Sequence, residues 1–357
     1  MRNKEDIKEL LEYFQSIDEN RLEFDEEAIV STYQKNNDNQ SLSIKILSVF
    51  GGILASLSFL GFLFIAGLYN SDIGLLVFGG LFIAGSIWIN KEYDKIIIDT
   101  VSVSSFIIGF ILIGFGLGQL NVEENMISIV FIIVAFSSLS IVQNYILSFV
   151  SVLIINGSIL TLIISNNAYN LIHFYVSVLA LITVFLFVKE AKIITTNKTF
   201  SKLYNPIRIG LIFSLLSGLV ILGKRGILPI SNDYIWISSI IIISLIIYLI
   251  SKLFNLFDIT ESKHKISIYV FTILTLLPTA LSPAISGSIL VILLSFMVNY
   301  KTGLAIGIIS FIYFISQYYY DLNFTLLTKS ILLFSSGILF IGLYLFTHKK
   351  LTSNEKV

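Results

Sequence analysis

Residues 266–299 read ISIYVFTILTLLPTALSPAISGSILVILLSFMVN, one apolar stretch with two prolines near its middle. A single α-helix of this length would measure roughly 50 Å, whereas the hydrocarbon layer of a bilayer is about 30 Å thick. Pro278 and Pro283 each remove a backbone donor and disrupt the helix around them. We therefore predict a hairpin of two short spans, 266–281 and 283–299, rather than one kinked helix.

The whole chain has the composition of a membrane protein. Its 357 residues are 55% hydrophobic and only 13% charged, with a mean hydropathy of +0.88. Soluble domains carry about 25% charged residues. Apolar runs long enough to cross hydrocarbon recur from Ile44 to Thr347. The pattern predicts an all-α, polytopic transmembrane helical bundle of about twelve spans, at 46–69, 73–90, 96–118, 126–143, 145–165, 169–188, 207–223, 233–251, 266–281, 283–299, 302–319 and 323–347.

The sequence predicts three regions around these spans. Residues 1–43 form a polar tail with eleven acidic residues, expected to be helical and cytoplasmic and to lack a signal peptide. This tail is either a solvated cap or a docking site for a partner. Residues 44–348 form the transmembrane domain, and residues 349–357 form a cytoplasmic C-terminal tail.

Basic residues indicate the orientation, because lysine and arginine concentrate in cytoplasmic loops. With the hairpin and a cytoplasmic N-terminus, 20 basic residues lie inside and only Lys224, Arg225 and Lys329 lie outside. A single helix at 266–299 would change the division to 17 and 6. We therefore expect both termini in the cytoplasm. The abundance of isoleucine, lysine and asparagine favours a bacterial protein.

Composition and motifs exclude several classes of function. The formal net charge is zero, so we expect no nucleic-acid partner; the expected surroundings are the lipid bilayer. The chain has no cysteine, which excludes disulfides, thiolate metal sites and cysteine nucleophiles. There is no HExxH motif, paired-carboxylate arrangement or phosphate-binding glycine loop. The sequence therefore predicts no catalytic residue, no metal and no cofactor, and it specifies no oligomeric state.

Small residues four positions apart let membrane helices approach closely. We expect such packing at three pairs: Gly52 with Ser56, Gly80 with Ala84, and Gly114 with Gly118.

A few polar residues in the spans are candidates for function. His173, near the outer end of the sixth span, is either a hydrogen-bonded packing residue or a ligand or proton relay. Asp99 is either functional or neutralised by Lys91 or Lys95. The Pro278–Pro283 segment is either a simple outer turn or a helix break with exposed carbonyls, as transporters use.

The most unusual polar stretch is QYYYDLNFTLLTKS, residues 317–330. Asp321 or Asn323 is a suitable N-cap for the last span, and Asp321, Thr325 and Lys329 follow at four-residue intervals along one helical stripe. Lys329 would lie about 12 Å below this cap. It either snorkels to the outer interface or faces the bundle interior and pairs with a carboxylate or helix carbonyls.

Two segments resemble a known family. The chain opens with DEEAIVSTYQKNN and SVFGGILASLSFLGFLFIAG and closes with YYYDLNFTLLTKSILLFSSGILFIGLYL. These are similar to the domain of unknown function 4401 family. The resemblance implies a bacterial inner-membrane protein, often with a small membrane protein as partner, and it implies no established activity. It supports a site only at Tyr319, Tyr320, Leu322, Thr325, Leu326, Leu327, Lys329 and Ser330.

The sequence thus favours a non-enzymatic membrane protein, either a transporter-like bundle or the membrane subunit or scaffold of a complex. The alternative is an intramembrane enzyme that acts on lipid-linked substrates. The predicted binding site lies on the outer side and comprises Tyr320, Asp321, Thr325, Lys329 and His173, with Lys224, Arg225 and Asp233 as expected neighbours.

Overall fold

The structure is a computed structural model, and it describes residues 42–92, 96–224, 226–256 and 261–321, together with 325, 327–328, 330–331, 334–335, 337–338 and 341–342. Throughout these residues the regular secondary structure is helical. The predicted N-terminal tail lies outside the described residues except for its last two positions. The predicted C-terminal tail lies outside them entirely.

We number the α-helices of the described residues in chain order. They are α1 (Leu42–Ile65), α2 (Asp72–Glu92), α3 (Ile96–Gln119), α4 (Glu124–Ile141), α5 (Tyr145–Ser165), α6 (Leu171–Val188), α7 (Glu190–Thr196), α8 (Lys198–Gly223), α9 (Ile235–Leu256), α10 (Ser262–Leu276), α11 (Pro283–Met297) and α12 (Lys301–Asp321). Short 3-10 helices occupy Leu68–Asn70, Asn232–Tyr234 and Leu277–Leu281.

Most of these helices have the length and composition of membrane spans. Among the described residues, nine helices are long and apolar enough to cross a bilayer, and two more apolar stretches are shorter, Phe50–Ile65 and Pro283–Met297. They correspond to the first eleven predicted spans, and the prediction of an all-helical membrane protein is confirmed. The twelfth predicted span, 323–347, is described only at scattered positions, so the count of about twelve stays a prediction.

One predicted boundary is wrong. The seventh span was expected at 207–223, beginning just after Pro206, but α8 begins at Lys198 and carries Pro206 inside it. Asn197 caps the longer helix, since its side chain accepts a hydrogen bond from the Thr199 amide. The added turns bring Tyr204 and Asn205 into the helical part of the chain.

The chain divides into two compact units, residues 1–113 and 114–357. In the first unit, α1 and α3 approach closely at Ser56, whose hydroxyl lies 2.7 Å from the Gly52 carbonyl and 3.1 Å from the Ser104 carbonyl. The packing predicted for Gly52 and Ser56 is therefore confirmed.

The packing predicted for Gly80 is wrong by one residue. A Cβ at Gly80 would meet nothing within 4 Å, whereas a Cβ at the preceding Gly79 would lie 2.9 Å from the Gly109 carbonyl of α3. Neighbouring residues on a helix point about 100° apart, so only one glycine of the pair can face α3. In the second unit, a Cβ at Gly114 would lie 3.2 Å from Phe131 and one at Gly118 would meet nothing.

In the second unit, α5, α6, α8, α9 and α11 share one apolar core. Ile212, Leu215 and Leu219 of α8 are fully buried in it. A Cβ added at Gly287 of α11 would overlap the Leu219 side chain, so α8 and α11 are in close contact. By contrast, Leu276 is the one buried residue of α10. The polar groups described below are held by this five-helix core.

Contacts on α9 show the direction of α10. Phe254, near the end of α9, contacts Tyr269 in the first half of α10, with ring centroids 5.1 Å apart. Ser239, near the start of α9, donates to the carbonyl of Ala280, just after α10. Thus α10 runs antiparallel to α9, and it ends where α9 begins.

Contacts on α8 show that α11 turns back. Ala284, at the start of α11, lies against Gly223, the last residue of α8, and Tyr300, just after α11, lies against Arg208 near the start of α8. The end of α8 leads directly into α9, so the start of α9 lies at the same end of the core as Gly223. The end of α10 and the start of α11 therefore both lie at that end. The chain therefore reverses at 277–282, as the hairpin interpretation predicts.

Candidate functional site

A buried arginine lies at the start of the long helix α8. Arg208 is 7% exposed, and its Nη1 lies 3.2 Å from Glu190 Oε1 in α7. Its Nη2 donates to Asn205 Oδ1 at 2.7 Å. The buried guanidinium is thus paired with one carboxylate and with one amide oxygen.

Aromatic rings surround the guanidinium. Its central carbon lies 3.8 Å from the centroid of Tyr300, 5.0 Å from that of Tyr204 and 5.6 Å from that of Phe187. Ring faces attract a cation, most strongly where water is excluded. We call Arg208, Glu190, Asn205, Tyr204 and Tyr300 the Arg208 cluster.

Tyr300 connects α11 to α12 and so lies between two spans. Burial raises the pKa of its hydroxyl above the ordinary value, and the nearby charge of Arg208 opposes this rise. The tyrosine is therefore neutral at physiological pH and acts on Arg208 through its ring face and its hydrogen bonds, not as a phenolate.

A row of buried polar residues leads away from this cluster along α5. Tyr145, at the start of α5, interacts electrostatically with both Arg208 and Tyr300. Ser148, Ser151 and Asn156 follow on the same helix and are all buried; Ser151 and Asn156 point about 140° apart around it, with Ser148 between them. At 1.5 Å per residue, Asn156 lies roughly 16 Å along the helix from Tyr145.

Asn156 then connects α5 to α6. Its amide nitrogen donates to the Val152 carbonyl at 2.9 Å, and the Tyr175 hydroxyl of α6 donates to its Oδ1 at 3.3 Å. Gly218 of α8 makes room for Tyr175, because a Cβ there would lie 3.2 Å from the ring. We call Ser148, Ser151, Asn156 and Tyr175 the polar row.

His173 lies two residues before Tyr175 in α6, on the side of the helix that faces α9. His173 is 3% exposed, and its Nδ1 lies 2.9 Å from Ser238 Oγ of α9. The Ser238 hydroxyl also lies within hydrogen-bond distance of the Ile235 carbonyl, and the tautomer of the ring decides which atom donates in the His173–Ser238 bond. Nε2 is buried without a hydrogen-bond partner among the described residues, although the Ser231 backbone interacts with the ring.

The neighbouring residue of α9 binds the break between α10 and α11. Ser239 Oγ donates to the Ala280 carbonyl at 2.7 Å, inside the segment bounded by Pro278 and Pro283. In an unbroken helix that carbonyl would accept from the amide of residue 284. Thus α9 joins His173 to the proline-bounded break, and two of the predicted candidates lie close together. We call His173, Ser238, Ser239 and Ala280 the His173 cluster.

A family model described as "Domain of unknown function (DUF4401)" matches residues 41–350. The chain belongs to this family. No curated protein and no solved structure matches the chain. The resemblance expected from the YYYDLNFTLLTKS segment is thus confirmed, and the two polar clusters are features of a DUF4401 structure.

In this DUF4401 protein, Tyr320, Lys224 and Asp233 of the predicted outer site and its neighbours are exposed, and Asp321 is half-buried. Asp321 ends α12 and accepts two hydrogen bonds from Gln317 Nε2, at 3.1 and 3.0 Å. Tyr320 is 82% exposed, so its side chain lies outside any buried cluster with His173. Asp233 accepts from Ser231 Oγ at 2.7 Å, and Lys224 is exposed.

Thr325 Oγ1 accepts a hydrogen bond from the Thr328 amide at 3.3 Å, and Thr325 is exposed. Residues 322–324 and 326 lie outside the described residues, so the helical stripe of Asp321, Thr325 and Lys329 stays a prediction. Lys329 and Arg225 lie outside the described residues, so the role expected of Lys329 stays a prediction.

Asp99 of this DUF4401 protein is buried, and Asn90 Nδ2 donates to its Oδ1 at 3.2 Å. Lys95 lies outside the described residues, so the neutralisation of Asp99 by Lys91 or Lys95 stays a prediction. In the part of the chain that the structure describes, no group of three or more His, Cys, Asp or Glu residues could hold a metal ion.

Sequence reasoning missed the Arg208 cluster because it counted Arg208 as a loop cation. One signal was available: Arg208 follows Pro206 by two residues and opens a long apolar run, in a chain with only four arginines. A charge at the edge of an apolar run is ambiguous in sequence. The long-range contact with Tyr300 identifies Arg208 as part of the core.

Proposed function

We propose that this DUF4401 protein transports a small anionic solute, and that the solute passes between the Arg208 cluster and the His173 cluster along the polar row. Ionisable groups that face the interior of a membrane bundle commonly mark solute or proton pathways. The observation that carries the proposal is a set of buried polar atoms with no hydrogen-bond partner among the described residues: Arg208 Nε, Ser151 Oγ and His173 Nε2.

These atoms lie at three levels of the same helical core. A buried polar atom without a partner is costly, by about 1–3 kcal/mol, and such atoms are uncommon in folded proteins. A passing solute or water would supply the missing hydrogen bonds at each level in turn.

The Arg208 cluster is suited to bind the anion at one end. The Glu190 side chain is 28% exposed, so it can be displaced from Arg208 by an anion that enters from solvent. Tyr300 would then close over the guanidinium. At the other end, the His173 cluster joins α6 and α9 to the broken segment, a position at which transporters change conformation.

The absence of native cysteine makes a direct test simple. We expect the Ser151→Cys variant to react with a small, water-soluble thiol reagent in membranes, because Ser151 lies on the proposed route. The control is Ala180→Cys, at a fully buried apolar position of α6. Equal inertness of the two thiols, or equal reactivity, would contradict a water-accessible route. As a folding control, the unfolding midpoints of both variants should equal that of the unsubstituted protein.

A scaffold role for a small membrane protein is the second candidate, and the exposure of Tyr320 favours it. A photoreactive residue at Tyr320 should crosslink one membrane protein that the same probe at Ile309, also exposed on α12, does not capture. The same set of products from both positions would argue against a docking surface at the tyrosine turn.

We also propose that the protein lies in the bacterial inner membrane with both termini in the cytoplasm, and that it is not an enzyme. The division of basic residues supports the orientation. The alternative, an enzyme acting on lipid-linked substrates, requires a nucleophile or metal group. Turnover of a lipid-linked substrate by the purified protein would favour that alternative.

A further inference from the structure

The segment that joins α6 to α8 carries an unbalanced positive charge. Lys189, Lys192, Lys198 and Lys202 are all exposed, and Glu190 is the single acid between residues 189 and 202. Glu190 already pairs with Arg208. Within the described part of the chain, none of these four lysines forms an ion pair, so their charges are available to a ligand.

Two of the lysines line an open cavity. Its volume is about 510 Å³, and it is bounded by Lys198 and Lys202, by Ser201, and by residues 194–197. Binding sites for small molecules and cofactors commonly measure about 300–1,000 Å³. The cavity is therefore large enough for a phosphate with its attached glycerol.

An apolar side chain borders the same cavity. Ile194, in its wall, is 36% exposed, and Phe200, which does not line the cavity but lies between Lys198 and Lys202 in sequence, is 52% exposed. The cavity also lies where α6 ends and α8 begins, and both helices are long enough to cross a bilayer. This is the level at which hydrocarbon meets headgroups, so a ligand here has a charged part and an apolar part.

We call Lys198 and Lys202, together with Ser201 and residues 194–197, the lysine ledge. We propose that this ledge binds the phosphate of an anionic phospholipid. Lysines next to a membrane span attract anionic lipids, and each one strengthens binding by about fivefold. The lysines contact the phosphate, and Ile194 and Phe200 lie beside the acyl chains. A zwitterionic lipid has no net charge and is bound less well. This site is separate from the proposed solute route and does not depend on it.

The test compares lipids on the purified full-length protein. Native mass spectrometry would count dioleoylphosphatidylglycerol and dioleoylphosphatidylcholine retained by the wild type, by Lys198→Gln/Lys202→Gln, and by the control Lys263→Gln/Lys265→Gln. The control removes the same charge from the first turn of α10. We expect the wild type and the control to prefer phosphatidylglycerol, and the ledge variant to lose roughly 25-fold of that preference.

Three results would overturn the proposal. The first is an equal loss in both double variants, which would indicate general attraction by charge. The second is equal retention of the two lipids by the wild type. The third is displacement of phosphatidylglycerol by millimolar inorganic phosphate with the same dependence on Lys198 and Lys202, which would assign the ledge to free phosphate.

Discussion

The guanidinium carbon of Arg208 lies 3.8 Å from the centroid of the Tyr300 ring. This contact joins the start of α8 to the segment that follows α11. Glu190 binds the same guanidinium through Nη1. One buried cation thus holds three separate parts of the chain together, and its removal or neutralisation should affect both stability and access to the core.

The Glu190–Arg208 pair should contribute measurably to stability. Glu190→Gln leaves a buried guanidinium without its counter-charge, and we expect a loss of roughly 1–2 kcal/mol, less than for a fully enclosed pair because Glu190 is partly exposed. Thermal unfolding in detergent would measure the change. The control is Glu261→Gln, which breaks the exposed pair with His264 and should have almost no effect.

The Ser239–Ala280 hydrogen bond should stabilise the proline-bounded break. Ser239→Ala leaves the Ala280 carbonyl without this donor, at a cost of about 1–2 kcal/mol. The matched control is Ser295→Ala, since Ser295 Oγ is buried without a hydrogen-bond partner among the described residues. Similar unfolding midpoints for the two variants would mean that the bond does not hold the break.

The Gly79–Gly109 contact should be sensitive to a single methyl group. A Cβ at Gly79 would lie 2.7 Å from Ile113 Cγ1 and 2.9 Å from the Gly109 carbonyl, so Gly79→Ala must push α2 and α3 apart. We expect a loss of about 1–3 kcal/mol. Gly80→Ala, one residue away and facing open space, should be neutral or slightly stabilising. If both variants unfold alike, the contact between α2 and α3 is not as close as described.

These two glycines illustrate what sequence can and cannot predict. Apolar length located eleven helices, because the thickness of hydrocarbon sets the length of a span. Spacing indicated that small residues mediate packing, yet it could not tell Gly79 from Gly80, since that choice depends on the rotation of α2 against α3. Relative rotation is a property of the partner helix and is not encoded locally.

The candidate site likewise has features that the sequence predicts and features that it does not. His173 and the Pro278–Pro283 break could be selected from sequence, because a histidine and paired prolines are unusual within apolar runs. Their connection through Ser238 and Ser239 could not be predicted from sequence, because serine is common in this chain and either hydroxyl could have bonded within its own helix.

The proposed orientation predicts which loops reach the periplasm. On intact cells, a membrane-impermeant thiol reagent should label Lys224→Cys, in the loop between α8 and α9, and should not label Lys192→Cys in α7. Both positions are exposed, so they differ only in the side of the membrane. After permeabilisation both should react. Labelling of Lys192→Cys alone on intact cells would mean that the orientation is inverted.

The most direct test of the proposed route measures how fast Ser151→Cys is modified when Tyr300 is removed. If Tyr300 closes the Arg208 end, Tyr300→Leu should speed modification of the Ser151→Cys thiol several-fold by a small, water-soluble reagent. Tyr313→Leu, a control at a tyrosine outside the cluster, should leave the rate unchanged. Unaltered modification in the Tyr300→Leu background, or equal acceleration by Tyr313→Leu, would contradict a solute route that Arg208 and Tyr300 close.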